Sequence, residues 1–382
     1  MIHRTVCKRN ILSTARGKQH VALEFLDRRT VCWVAAAAVA LTSPDFVIAE
    51  KESVRYRTRE ERRDAGVKHE ITNWLTASGL LEFEGILQSF SLFDTSSHPQ
   101  EDDFTKTLQL GLEISPLSWL RGELIYEFDD DDESNQQTID EAILAFEGGD
   151  FELELGKLFV PFGEYFSHFV SGPLLEFGET RTHDWGVTLS YGPHDRLDLA
   201  AFVYEGRARK AGSNAGYWDW GFAVEASFES STFGVSYLSD LADSQERLLT
   251  DSSDRYERRV DALSAYAVLG FDWLELTAEF VAALDSFKEF EPDQNQPSAW
   301  NVELASFPRA DVQLALRLEG SSELEGAPRY QGGIALGWRF TNISSLTLEY
   351  LYGAFKRGLA EDSRERDLDN VHEIGAQLSI EL

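Results

Sequence analysis

Phe151-Glu-Leu-Glu-Leu-Gly-Lys157 alternates apolar and polar residues, and Leu158-Phe-Val-Pro-Phe-Gly-Glu-Tyr-Phe-Ser-His168 breaks that alternation. Phe169-Val-Ser-Gly-Pro-Leu-Leu-Glu-Phe-Gly-Glu-Thr-Arg181 continues without a period, and Trp185-Gly-Val-Thr-Leu-Ser-Tyr191 alternates again. A period of two marks a strand with one apolar and one polar face. The stretch therefore reads as strand, long loop, strand. No other loop in the sequence is both this long and this apolar. Phe, Val and Leu at such density must hide from water, and the inside of a closed sheet would hide them.

Outward from this stretch the same period recurs. Phe104–Ile114, Leu120–Phe128, Trp220–Phe228, Leu274–Phe280, Val312–Leu318, Tyr330–Phe340 and Ile374–Leu382 each place Leu, Ile, Val, Phe or Trp on one face and Gln, Glu, Thr, Ser, Arg or Gly on the other. About sixteen such segments follow Leu75, most of them roughly nine to twelve residues long, the length a tilted strand needs to cross a bilayer. The connections alternate in length. Short ones, such as Gly148–Asp150 and Gly270–Asp272, number seven; long ones, at 93–103, 129–138, 159–182, 205–217, 239–257, 284–297, 320–328 and 355–370, number eight. This pattern predicts an all-β fold: a transmembrane antiparallel up-and-down β-barrel of about sixteen strands, with short periplasmic turns and longer outer loops. A wide open sheet would leave unpaired edges, which closure removes. Trp74, Trp119, Trp273 and Trp338 fall near the turn ends of their strands, and Trp185, Trp218, Trp220 and Trp300 near the loop ends, as interfacial girdles do.

Composition narrows the function. The formal charge is −31, and residues 1–49 hold seven Lys/Arg against three Asp/Glu, so residues 50–382 carry −35. Such acidity excludes a nucleic-acid partner, because phosphate binding needs a basic footprint. Cys7 and Cys32 are the two cysteines, and both fall in residues 1–49. Arg28-Arg29, the apolar run Val31–Leu41 and Ile48-Ala49 predict a secretory signal over 1–49. Residues 50–74 are expected to form a charged helical periplasmic leader, a mobile segment or else a small plug or an oligomerisation helix, and 75–382 the barrel. The cell outer membrane of a Gram-negative bacterium is the expected location, with lipid and lipopolysaccharide as neighbours and a homotrimer as one assembly that suits the pattern.

If the apolar face meets lipid, Arg121, Glu123, Glu152, Glu154, Arg317 and Arg339 face the lumen. There the arginines could set a transverse field across the pore, or each could simply pair with a neighbouring glutamate. The 159–182 loop is third among the outer loops and is expected to fold inward as a constriction, with Pro161, Phe162, Gly163, Glu164, His168, Glu176, Glu179 and Arg181 as its marked residues. The run Asp129-Asp-Asp-Asp-Glu133 reads as solvated charge in an outer loop. No phosphate-binding loop, zinc set or nucleophile elbow occurs, so neither enzyme activity nor a cofactor nor a metal site is expected.

Gly156-Lys157, Val160-Pro-Phe-Gly163, Pro173-Leu and Glu176-Phe-Gly-Glu-Thr180 resemble the signature of the LbtU-type siderophore porins. Arg62-Arg-Asp-Ala-Gly-Val and Glu70-Ile-Thr-Asn-Trp-Leu-Thr-Ala-Ser-Gly-Leu80 resemble that family's lead into its first strand. The resemblance implies a single-domain barrel without a plug domain that passes ferric siderophores or related small solutes. It carries no ligand residues with it. A general diffusion porin and a structural or adhesion barrel are the other readings of the same pattern.

Overall fold

The computed structural model describes residues 68–382 except 131–134, 178–181, 195, 207–208, 211–216, 244–254, 257–258, 291, 293 and 363. The signal segment expected over 1–49 lies outside the described residues, and so does the leader as far as residue 67. The last part of the leader is not helical. His69–Thr72 is a short strand that pairs back on Ala77, Thr76 and Leu75, as suits the β-branched Ile71 and Thr72 beside a strand that already offers hydrogen bonds.

Sixteen strands form the barrel. They are β1 (Leu75–Leu92), β2 (Gln100–Leu117), β3 (Leu120–Asp130), β4 (Asn135–Gly148), β5 (Phe151–Phe159), β6 (His183–His194), β7 (Leu197–Gly206) and β8 (Tyr217–Phe228). The second half is β9 (Ser231–Leu238), β10 (Ala262–Phe271), β11 (Leu274–Ala283), β12 (Ser298–Arg309), β13 (Val312–Ser322), β14 (Tyr330–Thr341), β15 (Ser344–Ala354) and β16 (Leu368–Glu381). Each pairs antiparallel with the next, and β16 closes on β1 through Glu373↔Gln88 to Glu381↔Leu80. Gly79 and Leu382 exchange backbone hydrogen bonds at the end of that seam, at 2.9 and 2.6 Å. Turns and loops alternate as expected. The first hairpin is taller than the pattern suggests: β1 and β2 run 18 residues each, and the loop expected at 93–103 gives way to strand from Gln100. Gln100-Glu-Asp-Asp103 is polar on both faces, so its period is silent, yet its backbone still pairs with β1 from Ser89 to Ile86.

Side chains sort by parity. On β13, Leu314, Leu316 and Leu318 are 40, 54 and 57% exposed on the outside, while Gln313, Ala315, Arg317 and Glu319 are buried within. A soluble fold would invert this order. An apolar exterior is stable where the solvent is lipid. Trp74, Trp119, Trp185, Trp218, Trp220, Trp273 and Trp338 all lie on the outer surface, and Trp300 is half-buried.

Leu316 lies near the middle of an outward row. Leu316→Arg is expected to destabilise the barrel by about 2–4 kcal/mol, the cost of a guanidinium facing mid-bilayer lipid. Urea unfolding in lipid vesicles measures it.

Candidate functional site

The loop from Val160 to Thr182 leaves β5 where the alternation ends. Val160 donates its N–H to Thr182 O at 3.1 Å and so closes the loop's base. Pro161 cannot extend the ladder. Gly163 (φ +75°) and Tyr165 (φ +54°) are both left-handed, which turns the chain inward within three residues. A Cβ on Gly163 would stand 2.5 Å from the Tyr165 ring and 2.9 Å from Glu279 Oε1, so glycine is required there on two counts.

The apolar residues of the loop find two beds on the inner wall. Val160, Phe162, Tyr165 and Leu175 pack with Leu158, Phe202, Tyr204, Leu238, Val281 and Ala299 of the strands and with Leu241, Val260 and Phe287 of the outer loops. Phe169 lies on Ala305, Ala315 and Ala335. These alanines are direct partners across β12, β13 and β14, so they form a level shelf just deep enough for a phenyl ring.

Carboxylates hold the loop to this wall. Glu279 of β11 accepts the N–H groups of Glu164 (2.6 Å) and Tyr165 (2.9 Å). Glu303 of β12 accepts from His168 N (2.9 Å) and Ser167 Oγ (2.8 Å). Glu319 of β13 accepts from Leu174 N at 2.6 Å, and Glu349 of β15 from Val170 N at 2.6 Å and Ser171 N at 3.1 Å. All but the Ser167 Oγ bond are charge-assisted bonds to backbone donors that would otherwise go unmet inside the barrel. Arg317 sits among them. It donates to Glu303 (2.9 Å), Glu319 (3.5 Å), Gly172 O (3.0 Å), Ser171 O (2.8 Å) and Ser167 Oγ, and its guanidinium lies 4.2 Å from the Phe169 ring centroid. The side chains of Arg317, Glu303 and Glu319 are fully buried. The ring nitrogens of His168 meet Gln313 Oε1 at 3.0 Å and Glu275 Oε1 at 2.9 Å, while Gln313 Nε2 donates to His168 O at 3.2 Å.

The loop divides the interior. It covers β11–β13, no described residue of which lines the remaining space, and leaves a cavity of about 870 Å³ against the rest of the wall. Pro161, Phe162, Gly163 and Glu164 line this cavity, as does Arg339. His168 does not; it is buried against the wall. Glu176 follows Leu174 in a single helical turn, and Glu179 and Arg181 lie outside the described residues. Arg317 is beneath the loop, away from the cavity. Arg121, Glu123, Glu152 and Glu154 gather near the turn end of the barrel, with Arg121 3.0 Å from Glu123, 2.8 Å from Glu152 and 3.3 Å from Glu154. Arg339 makes a two-toothed pair with Glu381, at 2.8 and 3.3 Å. All three arginines are therefore paired with carboxylates. Sequence reasoning missed Glu303 and Glu319. Their parity in Val302-Glu303-Leu304 and Leu318-Glu319-Gly320 marks them as inward, but only the pairing Glu303↔Arg317 reveals them as anchors.

Arg317→Ala would leave Glu303 and Glu319 buried without their cation, a loss of about 3–5 kcal/mol for a broken buried pair. That loss is expected to fall on the loop. Single-channel current should rise and become noisy, and protease should cut within 160–182, while the barrel keeps its heat-modifiable mobility on gels.

No family model matches the sequence. A UPF0422 protein of Coxiella burnetii is 29% identical over 167 residues, which are 40% of this chain and 36% of that protein. The chain thus spans about a third of the length of the curated relative it matches. Solved structures are closer in shape than in sequence. The anion-selective porin from Comamonas acidovorans superposes with a TM-score of 0.59 at 8% identity, covering 81% of this chain and 99% of that one. OmpF of Salmonella typhi, solved with daunomycin, gives 0.56 at 11% identity over 83% and 100%. The outer membrane channel DcaP of Acinetobacter baumannii gives 0.54 at 12% over 83% and 100%. A closed sixteen-stranded barrel with an apolar outer face is built for the Gram-negative outer membrane, and the fold of this chain is that of the outer-membrane porins.

Proposed function

We propose that the protein is an outer-membrane diffusion channel for small hydrophilic solutes, narrowed by the loop at 160–182. One observation carries this reading. The loop is fixed to one side of the interior and leaves about 870 Å³ open on the other, lined largely by polar side chains. A barrel serving only as an anchor has no need of a wettable interior. The fold points to a channel, in which walls and rings of charge select permeants, and not to an enzyme.

Passage of ferric siderophores is the finer reading. Its support is the resemblance in Gly156–Thr180 and Arg62–Leu80, and the same barrel suits an unspecific pore equally well. A homotrimer belongs to the proposal as the expected assembly.

Liposome swelling tests the channel. Swelling that is fast with a monosaccharide and falls steeply with oligosaccharide length supports a loop-limited pore. A correctly folded barrel that gives neither swelling nor current in a planar bilayer overturns it. Ferric siderophore added to the open channel separates the two finer readings: interruption of the current supports a siderophore path, and an unchanged current leaves the general pore.

A further inference from the structure

The lumen of a porin can be acidic, basic or divided between the two, and the direction of its selectivity follows from where the arginines go. Here they are used up. Arg121 has four carboxylates within 4 Å: Glu152 at 2.8, Glu123 at 3.0, Glu154 at 3.3 and Glu147 at 3.8 Å. Its surroundings are net negative despite the guanidinium. Arg317 is enclosed by Glu303 and Glu319 beneath the loop. Arg339 is the one basic residue among the described residues that line the cavity, and its two-toothed pair with Glu381 cancels it.

The carboxylates are less fully balanced: Glu127 feels Asp140 and Asp129 more strongly than Lys157. Glu127, Asp198 and Glu225 all line the cavity. Glu127 accepts from Gln109 Nε2 at 2.7 Å, a neutral donor. Asp198 and Glu225 are direct partners across β7 and β8, where like charges oppose each other and destabilise the sheet. Among the described residues, neither lysine nor arginine forms an ion pair with either of them. Glu225 is held by the Tyr266 hydroxyl. Tyr266 reaches it by lying across Gly234 of β9, where any Cβ would come within 2.2 Å of its ring. The wall thus keeps a glycine to aim a phenol at a carboxylate, and leaves that carboxylate beside an aspartate.

From this geometry we infer that the channel selects by charge and passes small cations, organic ammonium and guanidinium ions included, in preference to anions. The inference rests on the channel reading and deepens it. The cavity walls are low-dielectric protein and focus the field of the carboxylates into the solvent path. A cation meets an attractive wall along Glu127, Asp198 and Glu225, and an anion a repulsive one. The paired arginines set up no opposing positive strip.

A planar bilayer with a potassium chloride gradient reads the selectivity directly. The reversal potential is expected to favour potassium over chloride by roughly sevenfold, the ratio that a wall potential of about one kT produces. The preference should shrink as bulk salt rises and the Debye length falls. The double variant Asp198→Asn with Glu225→Gln should move the ratio toward one while current persists. A second measurement needs no variant: liposomes should swell faster with an amine-bearing solute than with a carboxylate-bearing solute of equal size. A conducting wild-type channel with a ratio at or below one overturns the inference and leaves the channel reading standing. A folded barrel with no conductance overturns the channel reading itself.

Discussion

A polypeptide loop inside a barrel brings its own backbone donors into a space with little water. Those donors need acceptors, and in this protein the wall provides them as carboxylates. Glu279, Glu303, Glu319 and Glu349 stand on four different strands, and each takes one or two N–H groups of the 160–182 loop. The position of the loop, the size of the open space beside it and the identity of the residues that face that space all follow from this set of bonds. Hydrophobic packing supports it: Phe169 on its alanine shelf and Phe162 among Leu238, Val281 and Phe287 exclude the water that would otherwise compete for the same donors.

Burying four carboxylates is costly unless each finds donors. Arg317 supplies the countercharge for two of them and also donates to Gly172 O, Ser171 O and Ser167 Oγ of the loop. An arginine that the sequence assigns to the lumen thus serves as the centre of a buried clamp. The same fate, pairing, meets Arg121 and Arg339 near the turn end. Of the two uses open to inward arginines in a barrel, a transverse field or neutralisation of neighbours, all three follow the second. The three arginines therefore add no positive strip to a solvent path that Glu127, Asp198 and Glu225 line.

Much of this was legible in the residues alone. Alternation in segments such as Val312–Leu318 gives the faces of the strands, and the rhythm of short turns and long loops gives the up-and-down order. Pro161, Gly163 and the apolar run around them mark the inward loop. The limits were physical. Gln100–Asp103 carries no alternation because both faces are polar, so its sequence reads as loop although its backbone pairs as strand. His69–Thr72 reads as part of the charged segment before it, although its partner strand decides its conformation. Glu303 and Glu319 look like any water-facing lumen residue until register sets them beside Arg317. The Asp198–Glu225 pair is invisible in sequence, because the two residues are neighbours only across a hydrogen-bonded seam. Permeant identity is harder still, since it depends on the sum of many inward charges and not on any motif.

The anchors of the loop also carry a timing rule. Every carboxylate that fixes residues 163–174 lies more than a hundred positions downstream, from Glu279, 115 residues after Glu164, to Glu349, 179 after Val170. The barrel seam itself joins Gln88 to Glu373, 285 positions apart. The hairpins β1–β2 through β5–β6 can pair locally and early, but the carboxylates that anchor the loop between β5 and β6 arrive only with β11 to β15. Contacts so distant along the chain form slowly, and the docking of this loop on its carboxylates is expected to be a late step of folding.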